Sequence, residues 1–123
     1  MLSVQLGTGR KRLSVRVRGV VQGVGFRPFV FRLAMEGGLS GFIGNDTDGV
    51  IIEVEGASDE IAAFLARLRS EPPPMARIDS VDVEELSIRG ESGFTIVSSQ
   101  VLGRVWVRQR TERLPAYRRR SLP

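Results

Sequence analysis

The run from Gly19 to Gly25, Gly-Val-Val-Gln-Gly-Val-Gly, constrains the fold more than any other segment. Regular structure is costly there, because glycine loses more backbone freedom on folding than any other residue. Yet ordered patterns flank the run on both sides. Before it, Leu13, Val15 and Val17 alternate with Ser14, Arg16 and Arg18, the period-two signature of a half-buried strand. After it stands Pro28, which suits the first turn of a helix, where its missing N–H is not needed. Phe26, Val30 and Leu33 supply an apolar stripe, and Gly37-Gly38 a stop. The chain is therefore expected to turn from a strand into a helix, beginning near Pro28, through a glycine bend.

The later segments follow the same logic. Leu39 to Asn45 and Val50 to Glu55 read as strands around Asp46-Thr47-Asp48-Gly49, a hairpin turn. Ser58 is placed to cap a second helix, with Asp59 and Glu60 complementing its dipole. Ile61, Phe64, Leu65 and Leu68 recur at helical spacing and form its buried face, and Pro72-Pro73-Pro74 ends it. Ile78 to Leu86 is a further strand, and Phe94 to Val97 a short fifth. The order β-α-β-β-α-β predicts an α+β, ferredoxin-like sandwich, an antiparallel sheet with two helices on one face. Many functions share that arrangement, so function must be argued from a site.

Composition narrows the chemistry. The 123 residues fit one domain and include neither cysteine nor histidine. A thiol nucleophile, a disulfide framework and the commonest catalytic base are thereby excluded. No apolar run approaches the roughly 20 residues that cross a bilayer, and Met1 to Arg12 lacks a secretion signal, so no membrane association and a cytoplasmic location are expected. The net charge of +4 is unevenly placed: residues 100–123 hold seven arginines against one glutamate, which leaves residues 1–99 slightly acidic. A basic, nucleic-acid-binding body is therefore not implied.

The bend itself carries the chemistry. Closely spaced glycines let backbone N–H groups converge on a concavity that suits an anion. The following helix adds the positive end of its dipole, and Arg27 adds a guanidinium fork matched to phosphate oxygens. On these residues alone, the stretch reads equally as a tight strand-to-helix turn with a solvated arginine. The P-loop tripeptide is missing, and glycines at 19, 23 and 25 do not fit a dinucleotide fingerprint.

Gly19-x-Val-Gln-Gly-Val-Gly-Phe-Arg27 resembles the acylphosphatase signature, and Gly41-Phe42-Ile43-Gly44-Asn45 resembles that family's second landmark. The likeness covers about residues 13–97. More finely, Arg27-Pro28-Phe29-Val30 and Asn45-Asp46-x-x-Gly49-Val50 are similar to the acylphosphatase domain that opens HypF-type carbamoyltransferases, which mature nickel–iron hydrogenases. The Cys-x-x-Cys segments that follow in that architecture are not in this sequence.

The resemblance implies hydrolysis of carboxyl–phosphate anhydrides, acyl or carbamoyl phosphate, without metal or cofactor. It implies that Arg27 binds phosphate and Asn45 holds the attacking water. Backbone N–H groups of Val21, Gln22, Gly23, Val24 and Gly25 line the phosphate cradle, with Gln22 bracing the bend. Neither Arg nor Asn can act as a general base near neutrality. The water's proton then passes to the bound phosphate, and catalysis reduces to positioning and charge stabilisation.

Other clusters read as structure or surface. Asp46, Asp48, Glu53 and Glu55 do not fit a calcium loop and are expected to be solvated. Arg16 and Arg18 are expected on a solvated sheet edge, Phe26 and Phe29 in the core. Residues 1–12 are expected to be a flexible N-terminus and 98–123 an Arg-rich tail without order. A monomer is expected. The rival reading is a non-catalytic ferredoxin-like binding module, with nucleic acid or an acidic partner held by that tail.

Overall fold

The computed structural model describes residues 9–98. It orders them as β1 (Arg10–Val20), α1 (Phe26–Glu36), β2 (Ser40–Asp46), β3 (Gly49–Ala57), α2 (Ser58–Ser70), β4 (Arg77–Leu86) and β5 (Phe94–Ile96). The sheet runs β4-β1-β3-β2-β5. The first four strands pair antiparallel, giving the ferredoxin-like α+β sandwich, whereas β5 lies parallel to β2. Among the described residues no helix is long and apolar enough to cross a membrane. The tail from residue 99 onward and residues 1–8 lie outside the described residues.

Alternation explains which face the helices cover. Val15 and Val17 of β1, Ile43 of β2 and Val50, Ile52 and Val54 of β3 join one core with Phe26, Phe29, Val30 and Leu33 of α1 and Ile61, Phe64 and Leu68 of α2. Phe26 and Phe29 are core residues, 5.7 Å apart between ring centroids.

Several expectations are corrected in detail. β1 begins at Arg10, inside the stretch expected to be flexible, and Arg12 is fully buried. Helix α1 starts at Phe26, two residues before Pro28, because Gly25 already provides the left-handed turn that launches it. Ala57 rather than Ser58 caps α2, with no side-chain capping bond. The notion of a solvated edge fails for Arg16 and Arg18: β1 lies inside the sheet, and both arginines are half-buried and ion-paired, to Asp46 and Asp82.

Glu53 and Glu55 are not solvated either; both are 0% exposed. They lie on the sheet face away from the helices, beneath the segment between β4 and β5. The neighbouring strand supplies their counter-charge. The Arg12 guanidinium donates through Nε to Glu53 Oε1 at 2.8 Å and through Nη1 to Glu55 Oε1 at 3.0 Å. Glu55 also accepts from the backbone N–H groups of Arg89 and Gly90, at 2.8 and 3.0 Å. Burial works against ionisation of Glu55, but these donors and the Arg12 and Arg10 guanidiniums outweigh it and hold its carboxyl below the ordinary range. Glu53 has less help: its Oε2 is buried with no hydrogen-bond partner among the described residues. Burial, which outweighs the attraction of Arg12, pushes its carboxyl up to about 7.

Candidate active site

Residues 21–25 leave the sheet without forming a hydrogen-bonded turn, and the backbone N–H groups of Gln22 to Gly25 find no acceptor among the described residues. Gly23 and Gly25 adopt φ of +74° and +83°, a region that side chains with a Cβ enter only at a cost of about 1–2 kcal/mol. Alternating the backbone between right- and left-handed turns is what points successive N–H groups inward. Helix α1 begins at once, with no side-chain cap and no acidic residue in its first turn. Its positive end is uncompensated and faces the bend.

Arg27 is the second residue of α1 and is half-buried. Its surroundings set it apart. Arg12, Arg16, Arg18, Arg67 and Arg89, each buried or half-buried, all meet a carboxylate within 4 Å. Among the described residues Arg27 meets none. Half-burying a guanidinium without a counter-ion costs solvation that only an arriving anion would restore.

Asn45 is the penultimate residue of β2 and shares with Ile43 the face that the helices cover. Its Oδ1 is buried and has no hydrogen-bond partner among the described residues, which leaves an acceptor open on the site's side of the sheet. The bend and this strand end are tied together. Gln22 Nε2 donates to Asp46 O at 2.9 Å and to Gly49 O at 2.7 Å. Both amide hydrogens are committed to the hairpin, so only the backbone N–H of Gln22 is left for a ligand. Asp46, expected to be solvated, is instead half-buried, with its carboxylate 2.9 Å from Arg16 Nε. The pair spans β3: Arg16 on β1 and Asp46 on β2 reach each other across the strand between them, on the face away from the helices.

A hollow of about 500 Å³ lies on the opposite face between Arg12, Phe42, Arg89, Glu91 and Thr95. Its arginines already have carboxylate partners, and it is a weaker anion site than the bend.

A ferredoxin-like sheet whose first crossover opens with such a bend defines a class, and the family model for acylphosphatase matches residues 13–96; the chain belongs to the acylphosphatase family. It is similar to the carbamoyltransferase HypF of Rhizobium leguminosarum bv. viciae, with 50% identity over 98 residues. That match takes in 80% of this chain but 13% of the relative, so the chain spans a small part of the HypF protein. It also resembles the acylphosphatase of Thermotoga petrophila, 42% identical over 87 residues, 70% of this chain and 96% of that protein. The crystal structure of acylphosphatase from Bacillus subtilis superposes with a TM-score of 0.67 at 34% identity, covering 71% of this chain and 98% of that one.

Proposed function

We propose that the chain hydrolyses carboxyl–phosphate anhydrides, with Arg27 and the backbone N–H groups of Val21 to Gly25 holding the phosphate and Asn45 holding the attacking water. The observation that carries this reading is the half-buried Arg27 guanidinium, which meets no carboxylate among the described residues, set beside left-handed glycines at an uncapped helix start. Charge, dipole and donor directions there all favour a phosphate dianion.

Asn45 Oδ1 accepts a hydrogen from the water and aims its oxygen at phosphorus. As the new P–O bond forms, the bond to the carboxyl oxygen breaks and its electron pair leaves as carboxylate. The water's second proton passes to a phosphate oxygen, yielding dihydrogen phosphate and a carboxylate. Neither protein group changes protonation, which accords with the chemistry of Arg and Asn. The protein's work is orientation and stabilisation of equatorial charge, the usual contribution in phosphoryl transfer.

The similarity to a carbamoyltransferase supports carbamoyl phosphate as a substrate, with carbamate as the leaving group, in a domain serving nickel–iron hydrogenase maturation. The similarity to free-standing acylphosphatases supports turnover by the domain alone. Release of phosphate from benzoyl and carbamoyl phosphate, with and without a chelator, tests both. Hydrolysis that survives chelation is expected. Asn45→Ala is expected to lower kcat by about 10²–10³. Wild-type rates in Asn45→Ala would refute the assigned role.

A further inference from the structure

We propose that Gln22 and Arg16 are positioning residues that grip the β2–β3 turn from the two faces of the sheet, so that phosphate in the bend sets the place of Asn45. This rests on the hydrolase reading given above, because it concerns how that site is held. Gln22 is exposed, yet its amide nitrogen is fixed by two short bonds. The acceptors, Asp46 O and Gly49 O, are the last paired residues of the β2–β3 ladder, immediately after the Asn45–Val50 pair. One side chain thus closes the mouth of the turn from the bend.

The second grip comes from the other side. Asp46 alternates with Asn45, so its carboxylate lies on the face away from the helices, where Arg16 meets it at 2.9 Å. Both side chains are 28% exposed, partly shielded from solvent screening. Asp46 is therefore held by its carbonyl from the bend and by its carboxylate from β1. Asn45, one peptide earlier, can move little while both contacts stand. The backbone N–H of Gln22 belongs to the proposed cradle and its side chain to the hairpin, so ordering the bend around a phosphate also orders the turn. Occupancy of the phosphate site and orientation of the water-holding amide become one event. This accounts for a glutamine in a bend whose other residues are glycine and valine.

Steady-state hydrolysis of benzoyl phosphate, with inorganic phosphate as competitive inhibitor, separates orientation from binding. Gln22→Ala is expected to lower kcat about 10- to 50-fold while changing the inhibition constant for phosphate less than about threefold. Gln22→Glu, which sets a carboxylate against two carbonyl oxygens, is expected to do no better. Arg16→Met is expected to lower kcat about 3- to 10-fold. In an Asn45→Ala background Gln22→Ala should add less than about twofold, since both act through one group.

Phosphate titration followed by amide NMR gives a readout without turnover. In wild type the Gly23, Gly25 and Asn45 side-chain signals should shift together; in Gln22→Ala only the glycine signals should. A loss of phosphate affinity as large as the loss of kcat, full multiplicativity with Asn45→Ala, or an undiminished Asn45 response in Gln22→Ala would each overturn the proposal. Glycine signals that ignore phosphate in wild type would instead overturn the phosphate-site reading beneath it.

Discussion

Arg12 and Arg27 stand on opposite faces of one small sheet and have been given opposite surroundings. Arg12 is fully buried, with Glu53, Glu55 and Glu91 within 3.5 Å of its guanidinium. Arg27 is half-buried and meets no carboxylate among the described residues. A buried charge whose partners are built in is committed to the fold, since removing either partner strands the other. A charge left without a partner beside open N–H groups keeps its interaction energy for something that arrives. Residue type alone would not distinguish the structural ion cluster from the proposed phosphate site, because both centres are arginine.

Exchanging the roles tests that contrast most severely. Arg27→Ala is expected to abolish most activity, about 10²–10⁴ in kcat/KM, with a nearly unchanged melting curve. Arg12→Met is expected to do the reverse. It leaves the buried Glu53 without its guanidinium and Glu55 with only Arg10 and two backbone N–H groups, and should cost about 3–5 kcal/mol of stability, measured by urea unfolding, while the folded fraction retains wild-type turnover. An Arg12→Met protein that is stable but inactive would break the division between the two faces.

The pH dependence sharpens it. Glu53 has a folded-state carboxyl raised to about 7 from 4.5, so below about 4.5 its proton is bound in both the folded and unfolded chains. Between there and about 7 only the folded protein holds the proton, and stability falls as pH rises, by on the order of 1–3 kcal/mol, then levels off. Glu55 is lowered and works in the other direction: its contribution is present above the unfolded value and is lost as the solution becomes more acid. Glu53→Gln is therefore expected to flatten the decline between pH 4.5 and 7 and to leave the acid limb intact, as thermal melts across pH would show. A smaller effect is expected from the half-exposed Arg18–Asp82 pair on β1 and β4, where Arg18→Met should change stability by less than about 1 kcal/mol.

The same contrast shows what could be read from sequence. The alternation of Leu13, Val15 and Val17, the glycine bend and the stripe of Ile61, Phe64 and Leu68 are local patterns, and they led to the correct order of elements. Arg27 and Asn45 stood out through motif spacing. The fate of Glu53 and Glu55 was not legible, because it depends on Arg12 and on the backbone of Arg89 and Gly90, which lie more than 30 residues away along the chain. Alternation says that two residues share a face; it does not say what covers that face. The parallel pairing of β5 with β2 was hidden for a similar reason, since three residues carry too little pattern to fix a direction. The start of α1 was legible, since the helix opens at Phe26 with Pro28 in its first turn, but the left-handed Gly25 that precedes it was not.

Of the two outer strands of the sheet, β5 has three residues and β4 has ten, so among the described residues β4 presents the longer ledge of unpaired peptide groups. Arg77, Asp79 and Glu85 are exposed along it. An incoming strand from another molecule would have to strip water from those charges before gaining a single ladder bond. Replacing them with threonine or valine would turn a rim that discourages stacking into a template for fibrous growth.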